Sequence, residues 1–459
     1  MTTWIILTTA LLIKIVQCAA ALALSITFLR GYFNRTQLRR WDGSNSSNSK
    51  EELIVVYLVV PLLREQAILP RIFHQFVVHS KRWNDVYVVF VSTEREKLER
   101  VPTSHDRTTV EVLQELLYAS RRESDRVFHF HFPTYNRVVA EQLNYAFEKL
   151  AQLPGPPLRR RYIAVYNADS MIGEETIQEL RELAQASVCI GQQSSLFLAN
   201  VPWLLSNHHY YLTVHGLYQS CWTIQHEIPR YLVSKKFLPW LPQWMEENSL
   251  IHCVTHGLLL RFDTLQSVRG FPVLEIGGED LALGFVLKAH GYKIIPLMTL
   301  ENSETPDCVA SLWQQLAGWY LATIGYLSYR RLLKAEVQQS RWATVFALTV
   351  LGVIDSLKWL FKGAIVLIYL ALSWSVGHFL VGLILYLSYV YLSLAAMLWL
   401  WTCLPANIFP RPPLRGLLAA IGLFWIVPIV RSGPAFLGAW WAVRIILGMP
   451  FIKPKTERH

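Results

Sequence analysis

Two stretches of this 459-residue chain are almost free of charge. Residues 4–29 are interrupted only by Lys14, and residues 363–410 carry no charge unless His378 is protonated. At about 1.5 Å per residue, the first run spans about 39 Å as a helix, enough to cross about 30 Å of hydrocarbon with some tilt. The second is long enough for two spans joined near Ser373 to His378. Composition agrees: 53% of residues are hydrophobic and 17% charged, against roughly 25% charged in ordinary soluble domains. These figures exclude a wholly soluble chain and an intrinsically disordered one.

The first run is expected to be an uncleaved anchor over 1–30. Ala21-Leu22-Ala23 resembles a signal-peptide cleavage site. However, the run exceeds the about 7–15 apolar residues of a signal sequence, and no charge precedes it. Gln17, where a small residue would be needed, disfavours lipidation at Cys18. Arg30, Arg35, Arg39 and Arg40 follow without an acid, so the positive-inside rule puts the chain that follows in the cytoplasm. There the sequons at Asn34 and Asn45 would be irrelevant. Residues 42–50, rich in Ser and Asn, read as a linker.

Net charge is +10, and residues 311–459 supply the excess, with 13 Lys and Arg against 3 acids. Residues 42–310 are slightly acidic, 25 basic against 30 acidic. A nucleic-acid partner is therefore not expected, since it calls for basic charge on the folded domain. The basic residues flank apolar helices instead, where an anionic membrane surface attracts them. The expected setting is an integral membrane protein of the plasma membrane or an endomembrane. The six cysteines are no closer than 32 positions, which excludes zinc-ribbon and C-x-x-C spacings.

Residues 51–310 pattern as a soluble α/β domain. Apolar or β-branched runs at 53–60, 85–92, 162–166 and from 188 alternate with helical periods at 67–78, 109–119 and 176–186. A mixed, mainly parallel sheet with helices on both faces is predicted. Ligands on such sheets bind beyond the carboxyl ends of the strands, where Arg64, Glu65, Glu94 and Asp169 fall. Residues 311–341 read as interfacial amphipathic helices, aromatic on one side with Arg330, Arg331, Lys334 and Arg341 at the far end. Segments 343–361 and 416–430 are ambiguous, because Asp355, Lys358 and Arg431 would each cost about 2.5–3.5 kcal/mol at mid-bilayer. With the basic tail (Lys453, Lys455, Arg458) cytoplasmic, an even number of spans, two or four, is expected over 342–459.

Asp169, after Asn167-Ala168, sits where a carboxylate can reach a hard divalent cation shared with a diphosphate, or cap the next helix. Glu279-Asp280 follows Gly277-Gly278 and precedes an apolar helix. Two acids there suit the positive helix end or place a base at a pocket. His252 and His256 lack further metal ligands nearby, so packing or acceptor contact is the simpler reading. His129, His131, His208 and His209 read as ordinary polar strand or loop residues. Trp222, Trp240 and Trp244 suit sugar stacking or a membrane surface equally. No P-loop, G-x-G-x-x-G or G-x-S-x-G motif is present.

Taken together, these segments resemble the family 2 glycosyltransferases. Tyr162 to Glu175 is similar to their strand and D-x-D region. Residues 256–296 are similar to their acceptor half: His256-Gly-Leu-Leu-Leu-Arg261, Val268-Arg-Gly-Phe-Pro272, Gly278-Glu-Asp280-Leu-Ala-Leu-Gly284, then Gly291-Tyr292 and Pro296. Glu304-Thr305-Pro306 and Gln315-Leu-Ala-Gly318-Trp319 are similar to the E-x-P and Q-x-x-R-W segments. The resemblance covers about 53–320.

It implies a GT-A fold, a nucleotide-diphosphate sugar donor, a divalent Mn²⁺ or Mg²⁺, and transfer with inversion to a lipid-linked or growing glycan acceptor. Asp280 would be the general base, with Glu279 beside it, and Asp169 the metal ligand. Pro61, Arg64, Glu65, Glu94, Asn144, Asn167 and Asp169 would line the donor site, and His256, Arg261, Gln315 and Trp319 the acceptor site. Asn167 replaces the first D-x-D carboxylate, and Gly318 replaces the Arg of Q-x-x-R-W. Two rivals keep these departures in view: a processive polysaccharide synthase exporting through the carboxyl-terminal helices, and a catalytically silent scaffold.

Overall fold

A computed structural model describes residues 1–33, 53–98, 107–120, 125–233, 242–275 and 277–449. The basic run after Arg30, the linker, Trp240 and the basic tail lie outside these residues. The chain divides into two units, one formed by 34–194 and 252–301, the other by 1–33, 195–251 and 302–459.

The first unit is α/β. Strands β1 (Val55–Pro61), β2 (Val86–Thr93), β3 (Val127–Phe132), β4 (Arg161–Val165), β5 (Ile190–Leu196), β6 (Leu258–Arg261) and β7 (Ile295–Asn302) form one sheet ordered β3-β2-β1-β4-β6-β5-β7. β1 to β4 are parallel, and β6 runs antiparallel to both β4 and β5. The sheet is therefore mixed and mainly parallel, as expected. Alternation of side chains sends Val56, Leu58, Val88 and Ala164 to one face, against Phe73, Phe76 and Leu180 of the helices Leu69–Ser80 and Glu174–Gln185. Tyr57 points to the other face, its ring 5.8 Å from that of Phe262, which also meets Phe147 of the helix Val139–Gln152 at 5.0 Å. Helices thus cover both faces. β3, β6 and β7 add to the strands named from the sequence. β3 (Val-Phe-His-Phe-His-Phe) is half-buried throughout, and β6 has only four residues.

The second unit contains helices Thr2–Phe33, Trp342–Ser375 and Phe379–Cys403, with a broken helix from Leu414 to Ile446. All four are long and apolar enough to cross a membrane. Three of these candidates follow residue 341. Residues 343–361 are continuous with 363–375 in one helix, and the last segment is interrupted by a 3₁₀ turn at Phe424–Ile426 and again by a turn at Arg431. The reversal expected near residues 373–378 is present, made by Gly377 at φ 77°.

Polar side chains join these helices. Trp4 Nε1 donates to Ser373 Oγ at 3.1 Å and its ring stacks on His378 at 4.7 Å. Cys18, Ser393 and Gln225 form a closed set of hydrogen bonds at 2.8–3.2 Å. Asp355 pairs with Arg230, and with Lys358 at 3.6 Å, while Lys362 donates to Tyr218. The charges that made 343–361 ambiguous are thus matched inside the unit.

The helix Val309–Ile324, within the segment expected to be interfacial, packs along Ser432–Ile446. A Cβ on Gly438 would lie 2.5 Å from the Ala317 carbonyl oxygen, and one on Gly433 2.8 Å from the Trp313 ring. Gly438→Val is expected to destabilise the protein by about 1–3 kcal/mol. Thermal unfolding in lipid nanodiscs checks this; an unchanged melting temperature would contradict the close approach.

Candidate active site

Pairing of β4 continues past its last residue. Tyr166 N donates to Val59 O at 3.0 Å. Asn167 N then donates to Ser170 Oγ, and Ser170 N to Asn167 O, both at 3.1 Å. This tight turn holds Asp169, 6% exposed, just beyond the carboxyl end of β4.

The same edge receives the segment entering β6. Gly257 N donates to Val165 O at 2.8 Å, so Thr255 and His256 arrive at the tip of β4. Only glycine fits there, because φ is 67° and a Cβ would lie 2.5 Å from the Gln193 side chain. Thr255 N and Oγ1 donate to Asp280 Oδ2 at 3.3 and 3.2 Å, and Leu281 N donates to Oδ1 at 2.8 Å. Gly277 and Gly278, both at positive φ, turn the chain so that Glu279 and Asp280 occupy the first turn of the helix Glu279–Ala289. Its unpaired N–H groups favour carboxylates there. His256 Nδ1 lies 2.8 Å from Glu301 Oε2, and its carbonyl accepts from Gln192 Nε2 at 3.0 Å. Asp169, Asp280 and His256 are therefore gathered at one sheet edge.

Loops after β1 and β2 complete that edge. Pro61 is buried at the end of β1, and Arg64 adopts φ 55°, a left-handed conformation unusual for a side-chain-bearing residue. Buried Glu96, unremarked in the sequence, fixes this loop. It accepts from Arg64 N at 3.3 Å and from Thr109 N and Oγ1 at 2.7 and 2.9 Å, while Glu65 N donates to Thr109 Oγ1 at 2.9 Å. Glu94 belongs to a chain of polar groups. Ser92 Oγ lies 2.7 Å from His129 Nε2 and 2.9 Å from His131 Nδ1, and His131 Nε2 lies 2.8 Å from Glu94 Oε2. Lys97 also donates to Glu94, at 2.9 Å. Hydrogen bonds from Lys97 and then His131 hold the Glu94 carboxyl below its ordinary range.

Two residues assigned to sites have other work. Arg261 pairs in register with Tyr162, at the amino end of β4, because β6 runs antiparallel and carries it away from the tip. Its guanidinium binds Asp263 Oδ1 at 2.6 Å and Ser187 O at 3.2 Å, so it does not join the carboxylates. Asn144 is a brace: its side chain exchanges two hydrogen bonds with the Phe271 backbone, at 2.7 and 2.8 Å. Both of its amide ends meet the Val268–Pro272 turn, leaving the donor loops to the other residues.

In the second unit, Gln315 and Trp319 lie one turn apart on Val309–Ile324. Trp319 sits edge-on to Phe197 at 5.9 Å and packs against Leu204, Leu212, Leu312 and Leu316.

Among the described residues, no three His, Cys, Asp or Glu side chains are grouped to hold a metal ion. One carboxylate completed by substrate phosphate and water is nevertheless a common Mg²⁺ arrangement, and Asp169 fits that role.

No family model and no curated protein matches the chain. Among solved structures it is similar to a mannosyltransferase from Pyrobaculum calidifontis in complex with GDP-Man and Mn²⁺. That match is 12% identical with a TM-score of 0.46, over 95% of this chain and 100% of that one. It is also similar to S. aureus TarS 1–349 in complex with UDP-GlcNAc, 9% identical with a TM-score of 0.37, over 87% of this chain and 93% of that one.

Two outcomes test this geometry. Asn144→Ala leaves the Phe271 N–H and carbonyl without their partner and should destabilise by about 1–3 kcal/mol in thermal unfolding. Burial, and secondarily His131, push His129 from 6.5 down to about 4. The unfolded chain therefore takes up this proton below 6.5 while the native state stays neutral, so stability falls as pH drops from 6.5 towards 4 and levels off below. His129→Gln should show a shallower fall across that window; an equal slope would remove His129 from the acid response.

Proposed function

We propose that the protein is a membrane-bound inverting glycosyltransferase of the family 2 type, with a GT-A-like α/β unit facing the cytoplasm. One observation carries the reading: Asp169 and Asp280 share the carboxyl edge of β4, and Asp280 is oriented by Thr255. Catalysis needs a base within reach of the acceptor hydroxyl and a fixed seat for the leaving diphosphate.

The acceptor is a hydroxyl on a lipid-linked sugar or growing glycan. Asp280 takes its proton as the oxygen attacks the anomeric carbon from the face opposite the diphosphate. The new C–O bond forms as the bond to the diphosphate breaks, and nucleoside diphosphate departs with the electron pair. Thr255 holds one carboxylate oxygen and Leu281 N the other, which fixes the direction in which the base works. Glu279 sits beside it at the helix start. Pro61, Arg64, Glu65 and Asn167 shape the donor pocket, the first three on the loop that Glu96 braces. Gln315 and Trp319 serve the acceptor, with Trp319 as a stacking face. A divalent cation held by Asp169, when bound, offsets charge building on the leaving diphosphate.

Purified protein in native lipid, given a panel of nucleotide sugars with Mn²⁺ or Mg²⁺ and lipid acceptors, should release nucleotide from one donor. Asp280→Asn should lower turnover by about 10²–10⁴-fold, and Asp169→Ala should abolish the metal dependence. Equal release by wild type and both variants would remove these residues from the mechanism. Silence across the panel would favour a scaffold.

A further inference from the structure

The second unit contains a partly open cavity of about 10 Å³, lined by His215, Gln219, Thr305, Gln315, Trp319 and Arg431 among others. That is room for about one oxygen atom. His215 is 2% exposed, and neither ring nitrogen has a hydrogen-bond partner. Burial, and then Arg431 beside it, push His215 down to about 3, so near neutral pH it has a single N–H to donate. Arg431 is 7% exposed. Its Nη2 donates to Gln219, and its Nη1 has no partner.

Among the described residues, no carboxylate lines the cavity. The guanidinium instead lies over the faces of Tyr218 and Trp359, at 5.0 and 5.4 Å, and Lys362 binds the same Tyr218 hydroxyl. Two cations thus adjoin one phenol ring, and one of them, Arg431, lines the cavity and keeps a buried Nη1 without a hydrogen-bond partner. Taking a cation out of water costs several kcal/mol without a compensating anion.

The position of Arg431 is built into the fold. Trp359 Nε1 donates to its carbonyl at 3.3 Å, and the neighbouring Ser432 Oγ accepts from Gly363 N at 2.9 Å. The close glycine contacts at Gly433 and Gly438 press this segment on the helix that carries Gln315 and Trp319. Gly318, between those two residues, has no side chain to offer. Arg431 brings a guanidinium to the same cavity from another helix.

We propose that this cavity is an oxyanion site, in which Arg431 Nη1 and the His215 N–H bind one oxygen of a phosphate group, with Trp319 as its wall. The phosphate is either a soluble ion or a lipid headgroup. The site shares Gln315 and Trp319 with the proposed acceptor residues, but the binding itself requires no transfer and is measured without a sugar donor.

The test uses full-length protein in phosphatidylcholine nanodiscs, titrated with inorganic phosphate against chloride at matched ionic strength. The readouts are tryptophan fluorescence and melting temperature. Parallel discs contain phosphatidic acid. Wild type and Asp280→Asn should respond saturably and alike, whatever the fate of the transferase assay. Arg431→Gln should weaken the response by about tenfold or more, as loss of a charged hydrogen bond does. His215→Phe, which fills the cavity and keeps the cation, should weaken it similarly, and serves if Arg431→Gln does not fold. A response to inorganic phosphate identifies a soluble anion; a response only in phosphatidic acid discs identifies a headgroup. No response in either beyond the chloride control, or an undiminished response in the variants, would overturn the site.

Discussion

The hydrogen bond from Gly257 N to Val165 O organises the α/β unit. It starts the antiparallel return of β6 beside β4, and so delivers Thr255 and His256 to the strand tip that also carries Asp169. Thr255 then orients Asp280, and His256 meets the almost fully buried Glu301. A one-residue slip in this pairing would reverse which side chains face the core. The Gln193 side chain, 2.5 Å from where a Cβ would stand on Gly257, helps to fix the register. The site is an outcome of strand pairing before it is an outcome of side-chain chemistry.

A different rule governs the helical unit. Apolar surface alone does not choose partners among lipid-compatible helices, whereas buried polar contacts and small residues do. The Cys18–Gln225–Ser393 set, the Asp355–Arg230 pair and the Ser432–Gly363 bond each tie segments far apart in sequence. They let a polar segment around residues 210–232 sit among apolar helices, and they explain why ionisable groups persist in candidate spans. Arg431 stands out because its partners are aromatic faces and an amide, with no acid among the described residues lining the cavity beside it.

Legibility in the sequence followed the strength of local pattern. β1, β2 and β4 are buried on both faces, so they read as continuous apolar runs, and Asp169 was placed just past β4, while Glu279-Asp280 were placed at a helix start. β3 hid because its alternating Phe and His match a half-buried edge. Motif order did not reveal geometry for Arg261: being three residues along an antiparallel strand from Leu258 moves a side chain about 10 Å from the tip. The bracing bonds of Asn144 and Glu96 were not legible, because they run to Phe271 and to Arg64 and Thr109, which no local pattern links to them. The cavity at Arg431 was equally closed to inspection, since its lining comes from four separate segments of the chain.

The helix Trp342–Ser375 has 34 residues, which makes it about 51 Å long, well beyond the hydrocarbon thickness of about 30 Å. In a bilayer, a helix of this length would take up the excess by tilt, by protrusion or by local thickening. Trp359 of this helix holds the Arg431 carbonyl and Gly363 holds the Ser432 hydroxyl, so a change in tilt would act on the segment beside that cavity. As a membrane span, this helix would make bilayer thickness a mechanical variable acting on the interior of the helical unit.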